Sequence, residues 1–183
     1  MRSRREWWAV ITAAVLCVLA VVVAGLPVYV FPAEHRPDRA DVIFIIGPIT
    51  TARAQMAEQL RADGVSDRIL VSIPAAGPQW AAKKLCRQDG VVCRHPEPFT
   101  TKGEAAMLSA YAQEEGLSTA AVITFTPHVA RTRYIFGRCF PGETTVVGVD
   151  DPISPVGWIY QYAYQTAAFV KAAVTPCATL TDQ

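Results

Sequence analysis

Residues 7–31, WWAVITAAVLCVLAVVVAGLPVYVF, carry no charged side chain. A helix rises ~1.5 Å per residue and the hydrocarbon core of a bilayer is ~30 Å thick, so about 20 apolar residues cross it. Residues 7–26 alone meet that length. Trp7 and Trp8 fall at one interface, and Pro27 and Tyr29 at the other; such aromatic positions suit the headgroup level. Arg2, Arg4 and Arg5 precede the span, and the positive-inside rule puts such residues in the cytoplasm. The expectation is a cytoplasmic N-terminus (1–6), a single transmembrane helix in the cell membrane (7–31), and an extracytoplasmic remainder. A cleaved signal peptide is the alternative, but its apolar core usually runs about 7–15 residues and ends at an A-x-A site that is not evident here.

Cysteine usage agrees with export. Cys17 lies in the span, and beyond it Cys86, Cys93, Cys139 and Cys177 make an even number. Four cysteines in an oxidising compartment suggest two disulfides with three possible connectivities. The favoured pairs are Cys86–Cys93, closing a short loop between a helix and the next strand, and Cys139–Cys177, tying a helix end to the C-terminal tail. With only three histidines and no C-x-x-C motif, no metal site is expected. A formal charge of +1 without a basic run past the first residues gives no attraction to nucleic acid.

Residues 32–40 carry two prolines and read as a linker. From 41 to 183 strand-like and helix-like segments alternate. Strands are expected at 41–47, 68–74, 90–93, 119–125 and 144–149. Helices are expected at 51–64, 78–88, 100–116, 127–139 and 154–174. Alternation of this kind predicts an α/β domain, Rossmann-like and three-layered, with a mainly parallel sheet. The last helix is rich in aromatics and could lie on the membrane. Gln161, Gln165 and Lys171 share roughly one face, which favours packing on the sheet instead. There is no G-x-G-x-x-G or Walker motif, so no cofactor is expected.

In open parallel sheets ligands bind beyond the carboxyl ends of the strands. Gly47 and Arg53 follow the first strand; Thr100, Thr101, Lys102 and Glu104 open the third long helix; Thr126, His128 and Arg131 follow the fourth strand. Arg53, Lys102 and His128 fall in first helical turns, with Arg131 one turn further in. Cations there oppose the helix dipole, and a shared anion would turn the conflict into attraction. Local readings compete: Thr126-Pro127 fits an N-cap and N1 pair, Thr101 and Glu104 fit a capping box, and Ser72 reads as packed inside a strand.

The order of these pieces resembles the YdcF/SanA/ElyC-like family of bacterial envelope domains. The likeness covers residues 40–150: ADVIFIIG, then Arg53-x-x-x-Ala57, RILVS, TTKGEA and ITFTPHVAR. Glu104 stands where many relatives have Asn, and TTKGEA looks like an actinobacterial-type variant. The turns GPI and SIPAA depart from the glycine pairs common in relatives. The resemblance implies a Rossmann-like domain with a role in envelope biogenesis or barrier function. It implies binding of a phosphorylated or otherwise anionic, lipid-linked precursor, with hydrolysis of that precursor as a further expectation. On that reading His128 is the acid–base group, Glu104 orients it or activates water, and Gly47, Arg53, Thr100, Thr101, Lys102, Thr126 and Arg131 bind the ligand. The alternatives are a non-catalytic anion- or nucleotide-binding module and a structural partner in an envelope complex.

Overall fold

A computed structural model describes residues 4–76 and 80–178. The apolar N-terminal segment forms α1 (Arg4–Gly25), which runs on through a π-helical turn, Leu26–Val30. Together they are long and apolar enough to cross a membrane. The side chains of α1 are exposed along its length, and Gly25 alone is buried. Residues 32–40 form no helix or strand and are fastened to the domain: Arg36 pairs with Asp63 at 2.8 Å, and Arg133 donates to the Ala33 carbonyl.

Strands β1 (Val42–Ile45), β2 (Ile69–Ser72), β3 (Val91–Arg94), β4 (Thr119–Phe125) and β5 (Glu143–Val149) form one sheet in the order β3-β2-β1-β4-β5. All four pairings are parallel, and Phe44 lies opposite Leu70 on one side and Val122 on the other. Crossover helices therefore join the strands: α2 (Thr51–Ala62), α3 (Trp80–Leu85), α4 (Thr101–Glu115) and α5 (Val129–Cys139). The helix expected from residue 78 begins at Trp80, and its first two expected positions lie outside the described residues.

The unbroken apolar run of β1 reflects a strand covered on both faces. Successive side chains point to opposite sides. Val42, Phe44 and Ile46 pack with Ala105 and Leu108 of α4 and Phe136 of α5. Ile43 and Ile45 pack with Ala57 and Leu60 of α2 and Leu85 of α3. The chain winds outward from β1 in both directions, so the sheet's topological switch lies between β1 and β4.

Both favoured cysteine pairs are at disulfide distance, with Cα–Cα separations of 5.9 Å (Cys86–Cys93) and 5.5 Å (Cys139–Cys177). The last helix, α6 (Pro155–Val174), departs from expectation. It packs against α5, the turn at 126–128 and the end of α1 rather than lying over the sheet. Tyr134 meets Phe169 at 5.0 Å between centroids, and Gln165 and Ala172 are its buried residues.

Candidate functional site

A cavity of about 610 Å³ opens at the carboxyl ends of β1 and β4. That is the switch point, where open α/β sheets place their ligands. Its walls come from the turn after β1 (Ile46, Gly47, Pro48), the start of α4 (Thr100–Glu104), the turn after β4 (Phe125, His128), Arg131 and Ile135 of α5, and α6. Phe99, Phe125, Ile135 and Ala168 are apolar; His128, Arg131, Thr101 and Glu104 supply the polar groups.

Two close approaches shape this end. A Cβ on Gly47 would come within 2.8 Å of the Phe99 ring and 3.0 Å of the Ser72 carbonyl. One on Gly103 would overlap the Pro98 carbonyl. Lacking those atoms, α4 begins hard against the preceding loop. Thr100 is its N-cap, accepting from the Gly103 amide at 3.2 Å. The Thr101 and Lys102 amides belong to the first turn, which has no acceptor within the helix.

Glu104 does not close the capping box expected with Thr101. Its Oε1 accepts from the Gly47 amide at 2.7 Å, joining the start of α4 to the turn after β1. Burial pushes its carboxyl up to about 7, against the pull of Ser72, the Gly47 amide, Arg53 and Arg131. At neutral pH it is thus part protonated.

His128 is buried, with Nδ1 2.9 Å from the Thr124 hydroxyl and Nε2 3.4 Å from the Thr101 hydroxyl. Arg131 Nη1 donates to the same Thr101 oxygen at 3.4 Å, and its Nε donates to Gln165 Oε1 at 3.0 Å. Because arginine can only donate, the Thr101 proton is free to point at His128 Nε2. The ring proton then sits on Nδ1 and donates to Thr124. Burial, then the charges of Arg131 and Arg53, hold the His128 pKa well below the ordinary value. His128 is therefore a neutral imidazole, and the apparent second cation at this helix start carries no charge.

Thr126 is not the N-cap of α5. Residues Thr126–His128 form a single 3-10 turn, and α5 begins at Val129. The Thr126 hydroxyl donates to Asp150 at 2.5 Å and is not among the cavity-lining residues. Arg53 is also outside the lining. Its Nη1 donates to the Pro48 and Ile46 carbonyls at 2.9 and 3.4 Å, Nη2 meets Asp151 at 3.4 Å, and the guanidinium lies 5.2 Å from the Phe125 ring centre. Lys102 lines the rim, but its ammonium caps the end of α6, donating to the carbonyls of Ala172, Thr175 and Pro176 and to the Thr175 hydroxyl.

The structure thus brings together Gly47, Thr100, Thr101, Glu104, His128 and Arg131. Arg53, Lys102 and Thr126 brace the surrounding turns. Sequence reasoning missed Thr124, which holds His128 Nδ1, and Tyr164 and Gln165, which contact Arg131 through a ring centre at 5.8 Å and an amide oxygen at 3.0 Å. Gln161 and Gln165 are one helical turn apart and hydrogen-bond at 3.0 Å; that polar pair on an otherwise apolar helix was the available signal. Among the described residues no group of three or more His, Cys, Asp or Glu side chains is placed to hold a metal. Comparison with protein-family models, curated proteins and solved structures finds no match to this chain.

Proposed function

We propose that this chain is a membrane-anchored, extracytoplasmic, YdcF/SanA-like protein of the cell envelope that binds a phosphorylated, lipid-linked intermediate. The observation that carries the reading is Arg131. The residue is 9% exposed and lines the cavity, yet it forms no salt bridge among those the described residues make. The neighbouring Glu104 carboxyl is held up to about 7 by burial and is only a partial counter-charge; a buried cation so placed is costly, and an anionic ligand would complete its pairing through charge-assisted hydrogen bonds. Thr101 and Lys102, whose first-turn amides lack acceptors within α4, line the same cavity, and a helix start of this kind favours negative charge. Apolar walls beside this polar floor suit a ligand with a charged head and a greasy body.

The arrangement also supports hydrolysis of such a ligand. Neutral His128 would take a proton from an attacking water, and the Glu104 carboxyl would give its proton to the oxygen leaving phosphorus. Groups whose pKa values are pushed apart in this way suit acid and base roles.

The test uses the full chain in nanodiscs containing polyprenyl pyrophosphate. Saturable binding should weaken at least ~10-fold in Arg131→Met, the loss of one charge-assisted contact. His128→Gln should keep binding and lose phosphate release. Equal affinity of Arg131→Met and the parent would sink the anion reading. Binding without phosphate release by the parent would leave a non-catalytic binding module.

A further inference from the structure

Helix α6 has its polarity inside out. It has one charged residue, Lys171, in 20. Its most buried side chain is the polar Gln165, at 0% exposure. Meanwhile Val156, Ile159, Tyr160, Val170 and Val174 are exposed, with Val156, Ile159 and Val174 at 76%, 72% and 77%. At ~100° per residue these five fall on one narrow stripe opposite Gln165. In water such a stripe has no reason to face outward; large exposed apolar patches mark a partner or a membrane.

The contacts with α1 say which. The Tyr162 hydroxyl donates to the Val22 carbonyl at 3.1 Å. The Tyr29 and Tyr162 rings meet edge to face at 5.1 Å, and the Tyr29 and Thr166 hydroxyls are 2.8 Å apart. Val22 stands about 22 Å along the helix from Trp7, inside a hydrocarbon core of ~30 Å. Whatever depth the upper end of α1 has, the middle of α6 shares it.

We infer that α6 is an in-plane interfacial helix, seated in the leaflet that α1 exits, with its Val156–Val174 stripe in the acyl-chain boundary. Trp158, Tyr160, Tyr162 and Tyr164 match the aromatic content of such helices, and the exposed Lys171 suits the headgroup level. The inference rests on reading α1 as membrane-spanning, and it deepens the proposed function. Tyr164 and Lys171 flank the stripe and also line the cavity. The cavity mouth therefore opens at the bilayer surface, where a lipid-borne head group enters while its chain stays in the membrane.

The experiment needs no ligand, so its failure is separable from failure of the Arg131 test. Single spin-labelled cysteines replace Val15, Gln113, Ile159 or Val170 in the full-length Cys17→Ala chain in nanodiscs. Collision rates with oxygen and with a water-soluble nickel chelate are compared. Labels at Ile159 and Val170 should resemble Val15, with an oxygen-to-nickel ratio several-fold above that at the solvent-exposed Gln113. Ratios matching Gln113, with Val15 in lipid, overturn the inference alone. Labels shielded from both reagents mean that protein covers the stripe, which also overturns it. Val15 in water removes the membrane span and the inference with it.

Discussion

Glu104 and His128 are both buried beside Arg131, and burial acts on them with opposite sign. The folded protein holds the Glu104 proton up to about pH 7, whereas a reference carboxyl releases it near 4.5. Folding therefore retains a proton across that window, and stability from this group falls as pH rises from 4.5 through 7. Glu104→Gln keeps an acceptor for the Gly47 amide but does not titrate. Its stability relative to the parent should rise by about 3 kcal/mol between pH 4.5 and 8, read from denaturant midpoints at each pH. A flat difference would show a carboxylate already ionised. His128 behaves in reverse: its folded pKa lies below the reference 6.5, so its contribution is present above 6.5 and is lost as pH falls below it. Sequence spacing placed Glu104 and His128 at the same sheet edge. It gave neither protonation state, because burial and neighbouring charge arise only once α4, α5 and α6 converge.

The start of α4 and the last turn of α5 make a controlled comparison at the element scale. Gly103 lies against the Pro98 carbonyl, and Gly137 has nothing within 4 Å of its would-be Cβ. Gly103→Ala should cost about 1–3 kcal/mol by forcing the backbone apart. Gly137→Ala should stabilise by up to about 0.5–1 kcal/mol, because alanine loses less backbone entropy than glycine on becoming helical. Thermal melts of the two variants check the pair, and the Gly103 variant should also lose affinity because Thr100 and Thr101 move. The strands and most helices were readable from hydrophobic runs and caps. Element starts were less so: Thr126-Pro127 looks like a helix start, yet the chain makes one 3-10 turn there, with the Thr126 hydroxyl drawn off to Asp150.

For the whole molecule, the end of α6 is held by three separate devices. Cys177 bridges to Cys139, the Lys102 ammonium gathers the last carbonyls, and Arg138 reaches the Ala173 carbonyl at 3.4 Å. The bridge closes a separation of 38 residues against 7 for Cys86–Cys93. In the chain-entropy model these are worth about 4 and about 2 kcal/mol. A Cys139→Ser, Cys177→Ser double variant should therefore melt lower than the corresponding Cys86, Cys93 variant. It should also lose head-group binding, since α6 forms a wall of the cavity. The reverse order of melting temperatures would mean that α6 is held mainly by its contact with α1.

The apolar span, the α/β alternation and the parallel sheet were legible in the chain, because each follows from local pattern or composition; of the three possible cysteine connectivities the sequence favoured one, and the fold places those pairs at disulfide distance. The sequence also brought Thr101, Glu104, His128 and Arg131 to one sheet edge, since strand ends are fixed by topology. Which cations are already engaged depends on how the elements pack. Arg53 turns to Asp151 and two carbonyls and Lys102 to the end of α6, whereas Arg131 donates to Gln165 and Thr101 and forms no salt bridge among the described residues. The tertiary structure also decided the place of α6, which buries a glutamine and exposes valines. That choice depends on which surfaces the neighbouring α1 and α5 leave open, and no local pattern in the chain records it.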